Sequence, residues 1–529
     1  MMTTRLDRRR FLALTAATTG LGLLEVCAHA ATPSLAAAPK APEAAKPAGP
    51  KRGGTFTLAR TSGVIAFNPV HMNIGHFSFQ HAIWNTLLHY DANLKPVPEL
   101  AETWGFSADG KVMTLKLRQG VKFHSGREFT AEDAKFAIQF GQENERSTMK
   151  PLYQTVKQIE VVDKYTIALK GDSVNPGLFD LLDVTYIADK ELIKDMGKTA
   201  GGTGPFKVDK YLPNDRVEMV ANKDYWEKGK PYLDKFVLRQ IPDAATLVIN
   251  LESDAVDAIW DPTLRDMLRL KEAGAKYVVD MGAPGNQVYN LAINTKHEVL
   301  KNKKVRQAMA WSIDRARFCK TSLQGLVEPT CLMWPAHSWA YFKDLEGKIG
   351  YNLDKAKALL KEAGLEKGFE VELLCSSKMG SAHIQIAQIL QADLKKINVN
   401  AKVADLEQAQ YDRRTAKGDI QLMIHTYARS NRDPGTLVTA AKAWYNEKEG
   451  GWTHFESPAY DSLRVEMQST LDQEKRKVTA RKIQEMMLDE CFTNPFAENP
   501  RPWAMANYVK GLTYNMDNAP YVGDIWLDK

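Results

Sequence analysis

Two long stretches of the chain, residues 200–290 and 370–430, alternate apolar strand-like runs with amphipathic helical patterns. The run Ile420–Tyr427 (IQLMIHTY) is mostly apolar, which is typical of a buried strand. Such alternation predicts α/β lobes, in which helices cover a sheet. Residues 98–185 differ, because they are richer in hairpin turns such as Asp109-Gly110.

The first residues form an export signal and are not expected to belong to the fold. A basic start is followed by a moderately apolar stretch over residues 11–24 and by Ala28-His29-Ala30, which has the small-x-small form of a cleavage site. The apolar stretch ends at Glu25 and is shorter than the roughly 18 residues that a membrane span needs. Residues 7–12, DRRRFL, resemble the twin-arginine motif, which implies export of a folded chain. We therefore assign residues 1–31 to a twin-arginine signal peptide and expect a periplasmic protein.

The mature chain has a disordered leader and a folded part that exceeds one domain. Residues 32–53 are rich in Ala, Pro and Lys and lack apolar periodicity. The remaining chain is too long for a single core and sufficient for two or three domains. The formal net charge is +6, and the signal peptide contributes four Arg against Asp7 and Glu25, which leaves +4. No basic block indicates nucleic acid binding.

Four cysteines remain after cleavage: Cys319, Cys331, Cys375 and Cys491. A bridge between Cys319 and Cys331 and isolated buried thiols are both compatible with an oxidising compartment. No C-x-x-C pair occurs, so the sequence offers neither a zinc ribbon nor a redox motif.

The sequence contains no familiar catalytic constellation. It has no H-E-x-x-H, no G-x-S-x-G and no phosphate loop, because Leu192 stands where the loop that would end at Gly197-Lys198-Thr199 requires its first glycine. His71, His76 and His81 recur every five residues, a spacing that does not build a metal-binding helix face. We predict no catalytic residues, no metal, no cofactor and no enzyme activity.

The most specific block is PELAETWGFSADGKVMTLKLRQGVKFHSGREFTAEDAKFAI, which starts at Pro98. Its residues indicate a strand pair around Asp109-Gly110 and a helix capped by Thr130, with Asp133 at the third position. This block resembles the family 5 solute-binding proteins of ABC importers, which include dipeptide-, oligopeptide- and nickel-binding members. Their pattern L-A-E-x-W, S-x-D-G, L-R-x-G-V-K-F-H-x-G and T-A-E-D is matched almost throughout.

Three further blocks resemble the same family, in the same order. They are GTGPFKVDKYLPNDRVEMVANKDYW at 202–226, LAINTKHEVLKNKKVRQAMAWSIDR at 291–315 and YNLDKAKALLKEAG at 351–364. The resemblance implies an α/β, two-lobe periplasmic binding protein fold with a hinge and an additional third domain. The implied limits are residues 54–97, 186–285 and 497–529 for lobe I, 98–185 for the extra domain and 286–496 for lobe II. The implied function is capture of a small organic solute by a monomer, which delivers it to an ABC permease and ATPase complex.

The same resemblance places ARSNRDPGTL, residues 428–437, at the ligand. In peptide-binding members an Asp that holds the peptide α-ammonium occupies the position of Ser430. Arg429 and Arg432 flank that position here, and guanidinium groups suit a carboxylate or phosphate. We therefore expect a peptide or peptide-like solute, with an acidic one such as an opine or aromatic acid favoured by these residues. A solvated loop tip is the alternative interpretation.

Other positions follow from family segments that line the cleft, although packing is an equal alternative for each. The predicted ligand-binding residues are Met72, Gly75, His76, Phe77, Tyr411, Tyr427, Arg429, Ser430, Asn431, Arg432 and Asp433. Two other functions stay open. One is a metal-chelate receptor of the nickel-binding type that uses Met72, His76 and Arg429, and the other is a periplasmic enzyme.

Overall fold

The structure is a computed structural model that describes residues 49–64, 66–70, 77–91, 94–144, 149–195, 200–428, 430–441, 444–445 and 450–529. The signal peptide, residues 32–48 of the leader and the predicted site residues Met72, Gly75, His76 and Arg429 lie outside these residues. Within the described part of the chain, no helix is both long and apolar enough to cross a membrane.

The described strands are, in chain order, β1 (Thr55–Arg60), β2 (Leu88–Tyr90), β3 (Pro96–Pro98), β4 (Ala101–Phe106), β5 (Val112–Leu117), β6 (Gln158–Asp163), β7 (Thr166–Lys170), β8 (Phe206–Leu212), β9 (Arg216–Ala221), β10 (Lys235–Gln240), β11 (Ala258–Trp260), β12 (Tyr277–Asp280), β13 (Gln287–Ile293), β14 (Phe369–Cys375), β15 (Val399–Asp405), β16 (Leu422–Ala428), β17 (Thr493–Glu498), β18 (Trp503–Ala506), β19 (Val509–Lys510) and β20 (Trp526–Leu527). The described α-helices are Gln80–Ile83, Ala131–Glu143, Lys150–Tyr153, Leu178–Asp183, Ala244–Glu252, Leu264–Glu272, Lys303–Ser312, Arg315–Ser322, Leu353–Glu362, Ser381–Lys395, Gln408–Ala416, Pro434–Ala440, Pro458–Gln468 and Gln473–Glu490.

Lobe I is built on a seven-stranded sheet in the order β12-β18-β11-β1-β10-β9-β8. The central strand β1 runs parallel to β10 and β11, while the outer pairs are antiparallel. Phe56 and Leu58 of β1 belong to one core, and Ala59 belongs to a second core on the opposite face. The sheet is therefore buried on both faces, as expected for an α/β lobe.

Lobe II is built on a five-stranded sheet in the order β15-β14-β16-β13-β17. The run predicted as a buried strand is confirmed as β16, in which Leu422, Met423 and Ile424 have no exposed surface. The four cysteines are buried and unbridged, and Cys319 and Cys375 pack in the core of this lobe.

The third domain contains an antiparallel four-stranded sheet in the order β4-β5-β7-β6. The chain turns at Asp109-Gly110 between β4 and β5, and Gly110 adopts a φ of 70°, which favours glycine. The predicted capping box is present, because Asp133 accepts from the backbone N–H of Thr130 at 3.0 Å. Leu178, Leu181 and Leu182 attach the helix Leu178–Asp183 to the core of this domain.

The chain crosses between the two lobes from β12 to β13 and again from β17 to β18. Each of the three large sheets draws its strands from the segments of one predicted domain, except that β17 runs on to Glu498, past the predicted end of lobe II. The domain limits themselves stay predictions. The two short crossovers provide the connection about which the lobes could rotate.

Candidate ligand-binding site

A cavity of about 850 Å³ lies between lobe I, the third domain and the first crossover. Lobe II contributes His337 to its wall, and the crossover contributes Ala283 and Pro284. Its wall includes the side chains of His81, His89, Glu99, Arg118, Trp226, Glu227, Lys230, Tyr514, Asn515, Met516, Tyr521 and Asp524. A volume of this size accommodates a small organic molecule.

Aromatic rings form much of the cavity wall, and neighbouring contacts hold them in place. The ring of Tyr514 stacks on Trp503 with centroids 6.3 Å apart, and Trp503 stacks on Trp260 at 4.8 Å. A side-chain amide fixes another ring, because Trp226 Nε1 donates to Asn85 Oδ1 at 3.1 Å. Rigid aromatic walls with a few polar groups are typical of small-molecule sites.

The charged side chains of the cavity have partners in this structure. Lys230 Nζ lies 2.7 Å from a carboxylate oxygen of Glu227 and 2.5 Å from one of Asp524. Arg118 Nε donates to the carbonyl of Glu99 at 2.6 Å, and its guanidinium lies 4.7 Å from the ring centre of Trp226. A charged solute that replaces one partner of such a pair would therefore find a group of opposite charge in the cavity.

Glu99 is a buried carboxylate at the base of the cavity. It accepts from Asn85 Nδ2 at 2.7 Å and from the backbone N–H of Thr86 at 3.0 Å, and His89 Nδ1 lies 3.7 Å away. Burial by itself would raise the pKa of Glu99, but the positive charge of the nearby His89 and the hydrogen bonds from Thr86 lower it to about 2. Burial likewise opposes the charge of His89, whereas Glu99 raises its pKa above 6.5. Each group of the pair thus stabilises the charged form of the other, although both are largely buried.

His81 and Tyr521 both line the cavity, and each has one buried polar atom without a hydrogen-bond partner among the described residues. His81 Nε2 lies 3.0 Å from Asn515 Nδ2, which donates to it, so the proton of the neutral ring lies on Nδ1. Burial lowers the pKa of His81 to about 4, which keeps the ring neutral. Among the described residues, neither His81 Nδ1 nor the hydroxyl of Tyr521 has a hydrogen-bond partner. The centroids of the two rings lie 4.5 Å apart, which makes these two atoms candidates for hydrogen bonds with a bound polar group.

The segment Ser430–Asp433 does not line the cavity and instead fastens lobe II to its surroundings. The hydroxyl of Ser430 donates to the carbonyl of Gly285 in the first crossover. Asn431 Nδ2 donates to the carbonyl of Met516 at 2.8 Å, and Met516 itself lines the cavity. The segment therefore lies directly behind one cavity wall.

Arg432 is fully buried and is not part of a solvated loop tip. Its guanidinium pairs with Asp183 and, at 2.5 Å, with Asp517. Burial alone would lower the pKa of Arg432, but the carboxylates of Asp183 and Asp517 raise it. Asp433 forms a bidentate pair with Arg476, at 2.5 and 2.7 Å. The chain thus supplies the counter-charge of Arg432, and its role toward a ligand stays a prediction.

The predicted aromatic contacts lie in protein cores. Tyr411 donates its hydroxyl to the carbonyl of Ile424 at 3.0 Å, and Tyr427 donates to the carbonyl of Met333 at 3.0 Å. Phe77 packs, half-buried, against the core of lobe I. None of these three rings lines the cavity described above. The metal-chelate alternative is untested, because Met72, His76 and Arg429 lie outside the described residues. Within the described residues, no group of three or more His, Cys, Asp or Glu side chains is arranged to hold a metal ion.

Sequence reasoning did not single out Glu99, Arg118, Trp226 and Tyr521 as site residues. The first three lie within the quoted family blocks, in PELAE, LRQG and DYW. Their signal was a charged or aromatic side chain inside a motif otherwise composed of turn and core residues. Tyr521 had no such signal, because it lies near the end of the chain outside the four blocks.

Comparison with known proteins identifies the family. Residues 95–448 match the family model described as bacterial extracellular solute-binding proteins, family 5 middle. The dipeptide-binding protein of Escherichia coli K12 is 28% identical over 446 residues, which cover 77% of this chain and 82% of that protein. Heme-binding protein A of Haemophilus influenzae is 26% identical over 492 residues, which cover 86% and 89%.

Solved structures share the fold. The complex of the binding protein AgaA from A. tumefaciens R10 with agropinic acid has a TM-score of 0.78 and 24% identity, and the match covers 90% of this chain and 99% of that one. The predicted two-lobe fold is thereby confirmed. Because the family model spans more than half of the sequence, the chain belongs to family 5 of the bacterial extracellular solute-binding proteins.

Proposed function

We propose that this protein captures a small organic solute in the cavity between its domains and delivers it to the permease and ATPase of an ABC importer. The observation that carries the proposal is the cavity of about 850 Å³, with rigid aromatic walls and with charges of both signs. Binding then acts by differential affinity for open and closed arrangements of the lobes, without any bond chemistry.

The solute class that fits is peptide or peptide-like. Arg118 offers a cation to a carboxylate, and Glu227 and Asp524 offer anions to an ammonium group. The E. coli relative is named for binding dipeptides, and AgaA is seen with agropinic acid. The sequence pattern at Ser430, which stands where a peptide-binding Asp is expected, and at Arg429 favours an acidic, opine-like solute, whereas Ser430 itself lies behind the cavity wall and bonds to the carbonyl of Gly285.

Calorimetric titration separates these classes. The cargo-free protein is titrated with a dipeptide, with the same dipeptide acetylated at its amino group, and with an opine acid. A peptide receptor loses affinity for the acetylated compound, because its acidic side chains then meet no ammonium. A receptor for acidic solutes prefers the opine acid. If none of a panel of each class binds or raises the unfolding temperature, the proposal fails.

We further propose that the protein reaches the periplasm through the twin-arginine route and works there as a monomer. The motif DRRRFL supports the route. Replacing Arg8 and Arg9 by Lys, which preserves the charge, is expected to leave uncleaved precursor in the cytoplasm. The matched control is Arg5→Lys, which lies outside the pair. Normal export of the double variant in cell fractionation would contradict the route.

A further inference from the structure

Arg432 belongs to lobe II, yet both of its ionic partners belong to other parts of the molecule. Asp183 ends the helix Leu178–Asp183 of the third domain, and Asp517 lies in the loop that leads back into the core of lobe I. The guanidinium donates to Asp183 Oδ2 through Nη1 and to Asp517 Oδ2 through Nη2, and its side chain has no exposed surface. One residue therefore joins three domains.

The neighbouring residues make the same connection. Asn431 donates to the carbonyl of Met516 in lobe I at 2.8 Å, and the backbone N–H of Asp433 lies 3.3 Å from Asp180 Oδ1 in the third domain. Within lobe II, Arg476 donates two hydrogen bonds to the carboxylate of Asp433. The segment is anchored on one side and bonded across the interface on the other.

Arg432, Asp183 and Asp517 form a buried ionic cluster, and a separation of the lobes would break its ion pairs. A buried cation is stable only while it is paired, and the loss of one partner leaves an uncompensated charge. Here the partners are supplied by the other two domains, so they are in place only when lobe II lies against both. The free energy of these pairs therefore adds to the stability of the closed arrangement.

We propose that Arg432 is a closure residue, which binds lobe II to Asp183 of the third domain and to Asp517 of lobe I whatever the charge of the solute. It positions the domains around the cavity and does not read the cargo. The effect on solute affinity rests on the proposed function, whereas the effect on closure does not.

The first test needs no solute. Bound cargo is removed by unfolding and refolding, and the wild type, Arg432→Met and Arg306→Met are compared by small-angle X-ray scattering. Arg306 is the matched control, because it is a buried arginine whose partner, Glu490 at 2.7 Å, lies in the same lobe. Arg432→Met is expected to have a larger radius of gyration than the wild type, and Arg306→Met is not. An unchanged radius for Arg432→Met overturns the proposal.

The second test compares a cationic, a neutral and an anionic solute of one chemical series by calorimetry. A closure residue lowers the affinity for each of them by the same factor, of at least about tenfold, because the binding-competent closed state becomes less populated. Arg432→Lys, which keeps the charge, should restore part of the loss. A loss confined to the anionic solute would show that Arg432 reads cargo and would overturn the proposal.

A third variant covers the case in which Arg432→Met does not fold. Asp517→Asn keeps the shape of the loop and weakens one pair, so a smaller shift of radius and affinity in the same direction is expected. An Asp517→Asn protein with wild-type radius and affinity contradicts the closure role. If no solute binds any variant while the radii differ as stated, the proposed function fails and the closure role stands.

Discussion

At the scale of single residues, the site depends on ionisable groups whose neighbours decide their charge. Glu99 stays ionised because His89, Asn85 and Thr86 surround it. His81 stays neutral because burial removes it from water. One side of the cavity therefore carries an ionised carboxylate, and another carries a neutral imidazole.

The Glu99–His89 pair makes stability depend on pH in a defined way. The folded pKa of Glu99, about 2, is below its ordinary value of 4.5, so its contribution is present above pH 4.5 and is lost as the pH falls toward 2. The folded pKa of His89 is raised above 6.5, so its contribution is present below pH 6.5 and is lost as the pH rises through the folded pKa.

We therefore expect Glu99→Gln to lower the free energy of unfolding most between pH 4.5 and 6.5, by about 3 kcal/mol. The difference from the wild type should shrink outside that window. Scanning calorimetry over a series of pH values measures it. Glu102→Gln, at an exposed position, is the control and should leave the profile unchanged. A constant difference at all pH values would contradict the assigned charges.

For Tyr521 we expect that removal of the hydroxyl lowers solute affinity and leaves the free energy of unfolding nearly unchanged. Because the hydroxyl has no partner in the described part of the chain, Tyr521→Phe should change the free energy of unfolding by less than about 1 kcal/mol. If a solute bonds to the hydroxyl, affinity falls by about five- to tenfold. Tyr186→Phe is the control, because its hydroxyl lies 3.3 Å from His81 Nε2 and its loss should affect stability. Thermal unfolding and titration of both variants decide the matter.

At the scale of elements, the block GTGPF positions the short helix that carries His81. The backbone N–H of Gly204 donates to the carbonyl of Ile83, the last residue of that helix, at 2.9 Å. A Cβ atom on Gly202 would lie 2.0 Å from the same carbonyl oxygen. Glycine is thus required here because two backbones approach each other closely.

Gly202→Ala is expected to destabilise the protein by about 2 kcal/mol or more, because backbone must move to admit the methyl group. Gly105→Ala is the matched control, since a Cβ there meets no heavy atom of the described residues within 4 Å and the strand position accepts alanine. Chemical unfolding of the two variants gives the comparison. Equal midpoints would show that the close approach does not limit this element.

Elements were easier to predict from the sequence than the site was. The strand β16 and the Thr130 cap follow from runs and spacings within a few residues. The partners of Arg432 are 249 and 85 residues away in the chain, and no local pattern specifies them. The sequence identified Arg432 as needing a counter-charge, but only the packing of three domains shows that the chain supplies it.

At the scale of the whole molecule, two short crossovers connect the lobes, and the buried ion pairs of Arg432 hold lobe II against the other two domains. This arrangement is that of a protein that closes around a cavity. The crossovers connect the lobes, the cavity lies beside the first of them, and the segment Ser430–Asp433 bonds lobe II to both other domains. Closed receptors of this architecture hold their solute through the stability of the closed state. The central claim is therefore that one small molecule occupies the closed protein.

Native mass spectrometry tests this claim most directly. The protein is purified from its native host without unfolding and is measured under non-denaturing and denaturing conditions. The account predicts a population whose mass exceeds that of the mature chain by one small organic molecule, and this excess disappears when the chain is unfolded. A bare chain that also forms no 1:1 complex with di- and tripeptides, opine acids or metal chelates would contradict the account.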